Sequence, residues 1–177
     1  LLKYLRRCVC GLLLAAGTAF AAETAPAAPA DLRARAKLAL RAGPESWPQA
    51  LALFDSAQRQ GDAASAYYLG LMLKNGQGAP RDSAAAARHL AYAAEHKVAA
   101  AMFVLANMLA EGEGVRRDMT AARSWIDRAD ALDYPEAALA KAIGLRDGSM
   151  GFTPDAAQAE EQMKAAAHAM QHRPAEP

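Results

Sequence analysis

The sequence predicts an all-α fold, an α-α solenoid of about four antiparallel helix pairs. Two observations carry that prediction. Gly76, Gly78, Arg81 and Asp82 recur 36 residues later as Gly112, Gly114, Arg117 and Asp118. By the same shift Leu69 maps onto Leu105, Leu73 onto Leu109 and Ala93 onto Ala129. A third round keeps Gly148 and then runs one residue longer, so Gly151 answers Gly114 and Asp155 answers Asp118. A fixed period in the mid-thirties with two apolar-faced helices per unit marks a helical repeat array, whose units bury their apolar faces against one another.

Taken in order, residues 1–21 read as a secretory signal. Lys3, Arg6 and Arg7 form a charged start, Val9 to Phe20 a short apolar stretch, and Ala19-Phe20-Ala21 a cleavage site. A retained membrane anchor is the rival reading, but the apolar run falls short of the ~20 residues that a spanning helix needs. Arg6-Arg7 is not followed by residues that support twin-arginine export. The expected mature start is near Ala22, in the periplasm of a Gram-negative-type cell. Cys8 and Cys10 fall inside the signal, so a mature chain would have no cysteine for a disulfide framework or a Cys-x-Cys metal site.

Residues 22–30 form a Pro/Ala-rich linker without a periodic apolar face. The repeat domain is expected over 31–171 and a disordered tail over 172–177. Asp31 is placed as the N-cap of a first helix, which Gly43-Pro44 stops. Ser46-Trp47-Pro48-Gln49 reads as a capping box with proline just inside the next helix. Ala50, Leu53, Phe54 and Ala57 then share one helical face, 36 residues before Ala86, His89, Leu90 and Ala93. Residues 31–60 therefore read as a divergent first unit. The later helices are expected at about 63–75 with 83–96, 99–111 with 119–131, and 136–147 with 155–171. Gly76, Gly112 and Gly148 follow a first helix, where a left-handed cap is wanted. Asp82, Asp118 and Asp155 precede a second helix, where a side-chain acceptor is wanted. Gly70, Ala106 and Ala142 are small where partner helices cross. Trp125 is expected in the middle unit's core. The polar last helix, with Gln158, Glu160, Glu161, Gln162 and Lys164, suits the end of an array.

The pattern A-x-x-L-G-x-x-L-x-x-G-x-G, then Asp, then Ala, Trp and Ala at helical spacing, resembles the Sel-one-like repeat (SLR) family, relatives of the tetratricopeptide repeats. Ala66, Leu69, Gly70, Leu73, Gly76, Gly78 and Asp82 match in one unit. Leu105, Ala106, Leu109, Gly112, Gly114, Val115, Asp118, Ala122, Trp125 and Ala129 match in the next, with Met102 replacing its first alanine. The third keeps Ala138, Ala142, Leu145, Gly148, Gly151, Asp155, Ala159 and Ala166. It departs at Lys141, in place of leucine, and at Gln162, in place of tryptophan; His89 holds the tryptophan position of the first matching unit.

The resemblance implies a non-catalytic protein-protein interaction scaffold of the cell envelope, needing no cofactor and meeting a protein or peptide partner. In tetratricopeptide relatives the first helix of each pair lines the concave face. Aligned through Leu69-Gly70, that implies a groove formed by Tyr67, Leu71 and Lys74, then Phe103 and Asn107, then Leu139, Ile143 and Arg146. Lys74 and Arg146 at its edge suit a peptide of acidic character. The competing reading places these rows in the inter-helix core. A second functional class is an envelope enzyme or a cell-wall ligand-binding protein; cysteine-rich relatives bind β-lactam-type ligands, but a mature chain here would lack their cysteines.

The residues themselves point to no reaction. Net charge is +1, and removing Lys3, Arg6 and Arg7 turns it to −2, without the basic stripe that nucleic acid demands. The Gly-x-Gly turns follow no strand and precede no Gly-Lys-Ser/Thr, so they are not phosphate loops. His168 and His172 have a zinc-compatible spacing but no third ligand near. Glu111 and Glu113 are expected to be solvated on an exposed turn, and His89 to be a partly buried structural residue.

Overall fold

The computed structural model describes residues 27–171. The signal, most of the linker, the 172–177 tail and His172 lie outside them. The described residues form eight α-helices: α1 (Pro29–Ala42), α2 (Trp47–Arg59), α3 (Ala63–Asn75), α4 (Ser83–Glu95), α5 (Ala99–Glu111), α6 (Met119–Asp130), α7 (Pro135–Asp147) and α8 (Ala156–Gln171). Each odd helix packs on the even helix after it, and each pair stacks on the next. This is the helix-pair solenoid that the 36-residue period predicts.

The expected turn chemistry is present. Asp82 and Asp118 accept the backbone N–H of Ala85 and Ala121 at 2.8 and 2.9 Å. Asp155 accepts that of Gln158 at 3.0 Å, and Asp62 caps α3 in the same way through Ser65. Each such cap stabilises its helix by about 1 kcal/mol. Gly76, Gly112 and Gly148 take left-handed φ values of 68°, 77° and 80° just past α3, α5 and α7. The second turn glycines touch the previous pair. A Cβ on Gly78, Gly114 or Gly151 would collide with the carbonyl oxygen of Trp47, Ser83 or Met119 respectively. Those three residues open α2, α4 and α6 at 36-residue intervals. The α1/α2 pair is thus a unit in register with the others. The extra residue of the third turn is absorbed at Met150, whose φ is 54°.

Small residues sit at the crossings. A Cβ on Gly70 would lie 2.7 Å from Leu90 Cγ, and Ala106 and Ala142 are fully buried. Between pairs, one register position carries the core. Phe54, Leu90 and Ile126 are all 0% exposed. Phe54 clusters with Leu69 and Met72 of the next pair, Leu90 with Met102 and Leu105, and Ile126 with Leu145 and Phe152. Burying one such side chain stabilises by roughly 1.5–3 kcal/mol, so each junction ties one pair to the next.

Four local expectations are corrected. Helix α1 begins at Pro29 with Ala28 as cap, because Pro29 presets the first helical turn; Asp31 lies inside that turn. Ser46 makes no capping bond, since Pro44–Ser46 form a 3-10 turn that places it in helical geometry. Trp125 is half-buried, with the Arg128 guanidinium 3.9 Å from its ring centre. Glu113 is withdrawn from solvent: its side chain is 15% exposed and ion-paired. Glu111 is exposed as expected.

Candidate functional site: the recess between α3 and α5

Leu71, Lys74 and Asn75 of α3 face Val104, Asn107, Met108 and Glu111 of α5 across an open recess of about 330 Å³, which Glu113 closes at one end. Its floor is Met108, which is fully buried, with Leu71 and Val104 half-buried above it. The Asn75 and Asn107 carboxamides make no hydrogen bond with the described residues, so each keeps a donor and an acceptor for a ligand.

Glu113 sets the electrostatics. Its carboxylate takes Lys74 at 2.9 Å and Arg81 at 2.6 Å, and it accepts the Ser83 hydroxyl at 3.0 Å. The Lys74 hydrogen bond above all, with those of Arg81 and Ser83, lowers its pKa to about 2 against the opposing effect of burial. One turn residue thus ties α3, the turn after it and the start of α4 together. Lys74 is committed to that clamp, which removes it as the cationic edge of the groove.

The expected groove residues divide into three sets. Leu71, Lys74 and Asn107 meet in the recess. Tyr67 and Phe103 are half-buried beside it, Tyr67 edge-on to Tyr68 at 5.2 Å and Phe103 packed on Tyr134 at 5.9 Å. Leu139 and Ile143 are half-buried on α7 and Arg146 is exposed there; none of the three lines the recess. The sequence rows missed Asn75, Val104, Met108 and Glu111. On α5 the recess uses positions 104, 107, 108 and 111, a face turned about one residue from the 103/107 row. Helical side chains lean toward the N-terminus, so a surface spot is covered by a residue about one position further on; that lean was the available signal.

His89 is structural. His89 Nδ1 lies 2.9 Å from Gln58 Oε1, and burial lowers its pKa. Among the described residues no three metal-ligating side chains come together, His168 is exposed, and no helix is long and apolar enough to cross a membrane.

Stacked helix pairs, repeated caps and an open recess between first helices define an α-helical repeat scaffold. Residues 63–98 and 99–129 match the Sel1 repeat model, so the chain carries two Sel1 (Sel-one-like) repeats. A Sel1 repeat protein from Oxalobacter formigenes has the same fold, with TM-score 0.71 and 21% identity over 78% of this chain and 54% of its own. A protective antigen of uropathogenic Escherichia coli strains, displaying an SLR fold, gives TM-score 0.66 and 24% identity over 81% of this chain and 33% of its own. The chain therefore spans about half the length of one and a third of the other. No functionally curated protein matches it. The two Sel1 repeats and the shared fold mark it as a helical-repeat protein.

Proposed function

We propose that the protein is a non-catalytic scaffold of the periplasm, holding a protein or peptide partner on the concave face formed by α3, α5 and α7. The observation that carries this reading is the α3–α5 recess, with an apolar floor and two unbonded carboxamides at its walls. A carboxamide can donate to and accept from one peptide bond, so Asn75 and Asn107 suit an extended main chain, while Leu71, Val104 and Met108 suit an apolar side chain. With Lys74 held by Glu113 and Glu111 exposed, the recess itself does not favour an acidic peptide. Arg146, which makes no ion pair among the described residues, keeps such a preference only at the α7 end.

The test uses protein recovered from its native envelope. Partner capture should be lost in Leu71→Ala/Asn107→Ala and in Tyr67→Ala/Phe103→Ala. A melting temperature that is nearly unchanged assigns the lost side chains to the groove; a large fall in the second variant assigns Tyr67 and Phe103 to the core. Unchanged capture by both variants overturns the groove. For the location, N-terminal sequencing of cell-derived protein should read from about Ala22 in the periplasmic fraction. Membrane-bound material starting at Leu1 overturns it.

A further inference from the structure

On the face formed by the second helices, α4 and α6 flank another recess, of about 420 Å³. Ala87 and Leu105 lie nearly buried at its base, and Leu109, Val115 and Trp125 form half-buried walls. Its lining is apolar apart from Arg88, which has no acidic partner among the described residues.

The repeat register explains why this space is open. At the previous junction, Leu51 stands where Ala87 stands here. At the next junction, Phe152 stands where Val115 stands here. Phe152 is 5% exposed, and Arg123, at the Ala87 position, lies 5.1 Å over its ring. Both neighbouring junctions carry a large side chain at one of these two positions. The middle junction carries Ala87 and Val115, and what it lacks is one side chain of leucine or phenylalanine size. At the next junction that side chain arrives from an extended residue, with φ −76° and ψ 148° at Phe152.

We propose that the α4–α6 recess is a second binding site, separate from the first-helix groove, and that its occupant is an extended peptide segment. The segment inserts one phenylalanine or leucine side chain between Ala87, Leu105 and Trp125, and carries an acidic residue beside it for Arg88. The neighbouring junctions supply the size and the extended presentation of that side chain. The charge follows from the lining, in which a single cation has no acid to answer it. The buried Phe152 shows that such a junction holds an aromatic ring.

The probe is a short labelled peptide with one phenylalanine flanked by glutamates, and its control has alanine in place of the phenylalanine. Binding is read by anisotropy and by Trp125 emission in a Trp47→Phe background, Trp47 being the other of the two tryptophans. The phenylalanine peptide should bind and shift Trp125 emission. The alanine peptide should bind at least about tenfold more weakly, as for loss of a buried anchor residue. Val115→Phe and Ala87→Leu, which copy the neighbouring junctions, should each abolish binding while holding or raising the melting temperature. Arg88→Ala should weaken binding severalfold and flatten its salt dependence, while Leu71→Ala/Asn107→Ala should leave it unchanged. Equal binding of the two peptides, binding unaffected by both filling variants, or no binding to the parent protein overturns the proposal. So does self-association that the filling variants abolish, because the occupant is then a second copy.

Discussion

Asp130, at the end of α6, accepts a hydrogen bond from Gln162 of α8 at 2.7 Å, and Lys141 of α7 closes on the same carboxylate at 2.8 Å. Gln162 and Lys141 are the two positions where the third unit abandons the tryptophan and leucine of the repeat pattern. They are therefore one change: a polar network replaces an apolar contact. The middle junction has Ala94, Leu105 and Trp125 at these positions. The first has Gln58, Leu69 and His89, and again the polar pair bonds, at 2.9 Å.

Asp130→Ala should destabilise by about 2 kcal/mol, because it strands Gln162 and leaves the partly buried Lys141 with Asp127 alone at 3.1 Å. Burial opposes the Lys141 charge, but Asp130 and Asp127 outweigh it and raise its pKa. That contribution is complete below the unfolded lysine value and disappears as pH rises through the folded one. The triple change Asp130→Ala/Lys141→Leu/Gln162→Trp, which copies the middle junction, should return to within about 1 kcal/mol of the parent. Urea denaturation decides; a triple variant weaker than Asp130→Ala would contradict the equivalence of the junctions.

Glu113→Gln should weaken the array in a pH-dependent way. The folded pKa of about 2 lies below the ordinary glutamate value of 4.5, so the carboxylate's contribution is full above about pH 4.5 and is lost as pH falls toward 2. Unscreened, that shift would correspond to about 3 kcal/mol. Arg81 is 63% exposed, and solvent screening reduces the expected loss to about 1–2 kcal/mol at pH 7. Urea midpoints of the two proteins should converge toward pH 2. A constant gap from pH 7 to 2 would refute the clamp.

These cases separate what is legible in this chain from what is not. Gly112 and Asp118 announce caps because their partners lie within a turn, where spacing alone fixes geometry. The Glu113 clamp was hidden because Lys74 and Ser83 lie 39 and 30 residues away and meet it only once α3, α4 and α5 are stacked. The recess keeps the expected Leu71, Lys74 and Asn107 but also takes in Val104, Met108 and Glu111 on α5, because helical side chains lean toward the N-terminus. Ser46 lost its capping role to Pro44, whose ring starts a 3-10 turn.

Trp125→Ala should cost about 2 kcal/mol. A fully buried tryptophan loses roughly 3–5 kcal/mol on truncation. Here the ring is half-buried and its outer face is covered by Arg128 at 3.9 Å, a contact of about 0.5–1 kcal/mol at an exposed site. Arg128→Ala should lose only that smaller part. Denaturation of the two single variants and the double variant checks the coupling; additive losses would mean that the stacked pair contributes nothing.

Gly112 and Gly114 share one turn and both have positive φ, 77° and 69°, yet alanine should affect them differently. At Gly112 the new Cβ would lie 3.4 Å from Arg117 Cβ, an ordinary van der Waals contact. The cost there is the left-handed strain, about 1–2 kcal/mol. At Gly114 the new Cβ would meet the Ser83 carbonyl and the Ala84 nitrogen. That backbone opens α4 and is held by the Asp82 cap, so it cannot give way without parting the two pairs. Gly114→Ala should therefore cost at least ~1 kcal/mol more than Gly112→Ala. Hydrogen exchange should locate the extra loss at the start of α4, where Gly112→Ala leaves protection intact. Equal losses with no change at α4 would mean that the turn does not seat on the preceding pair.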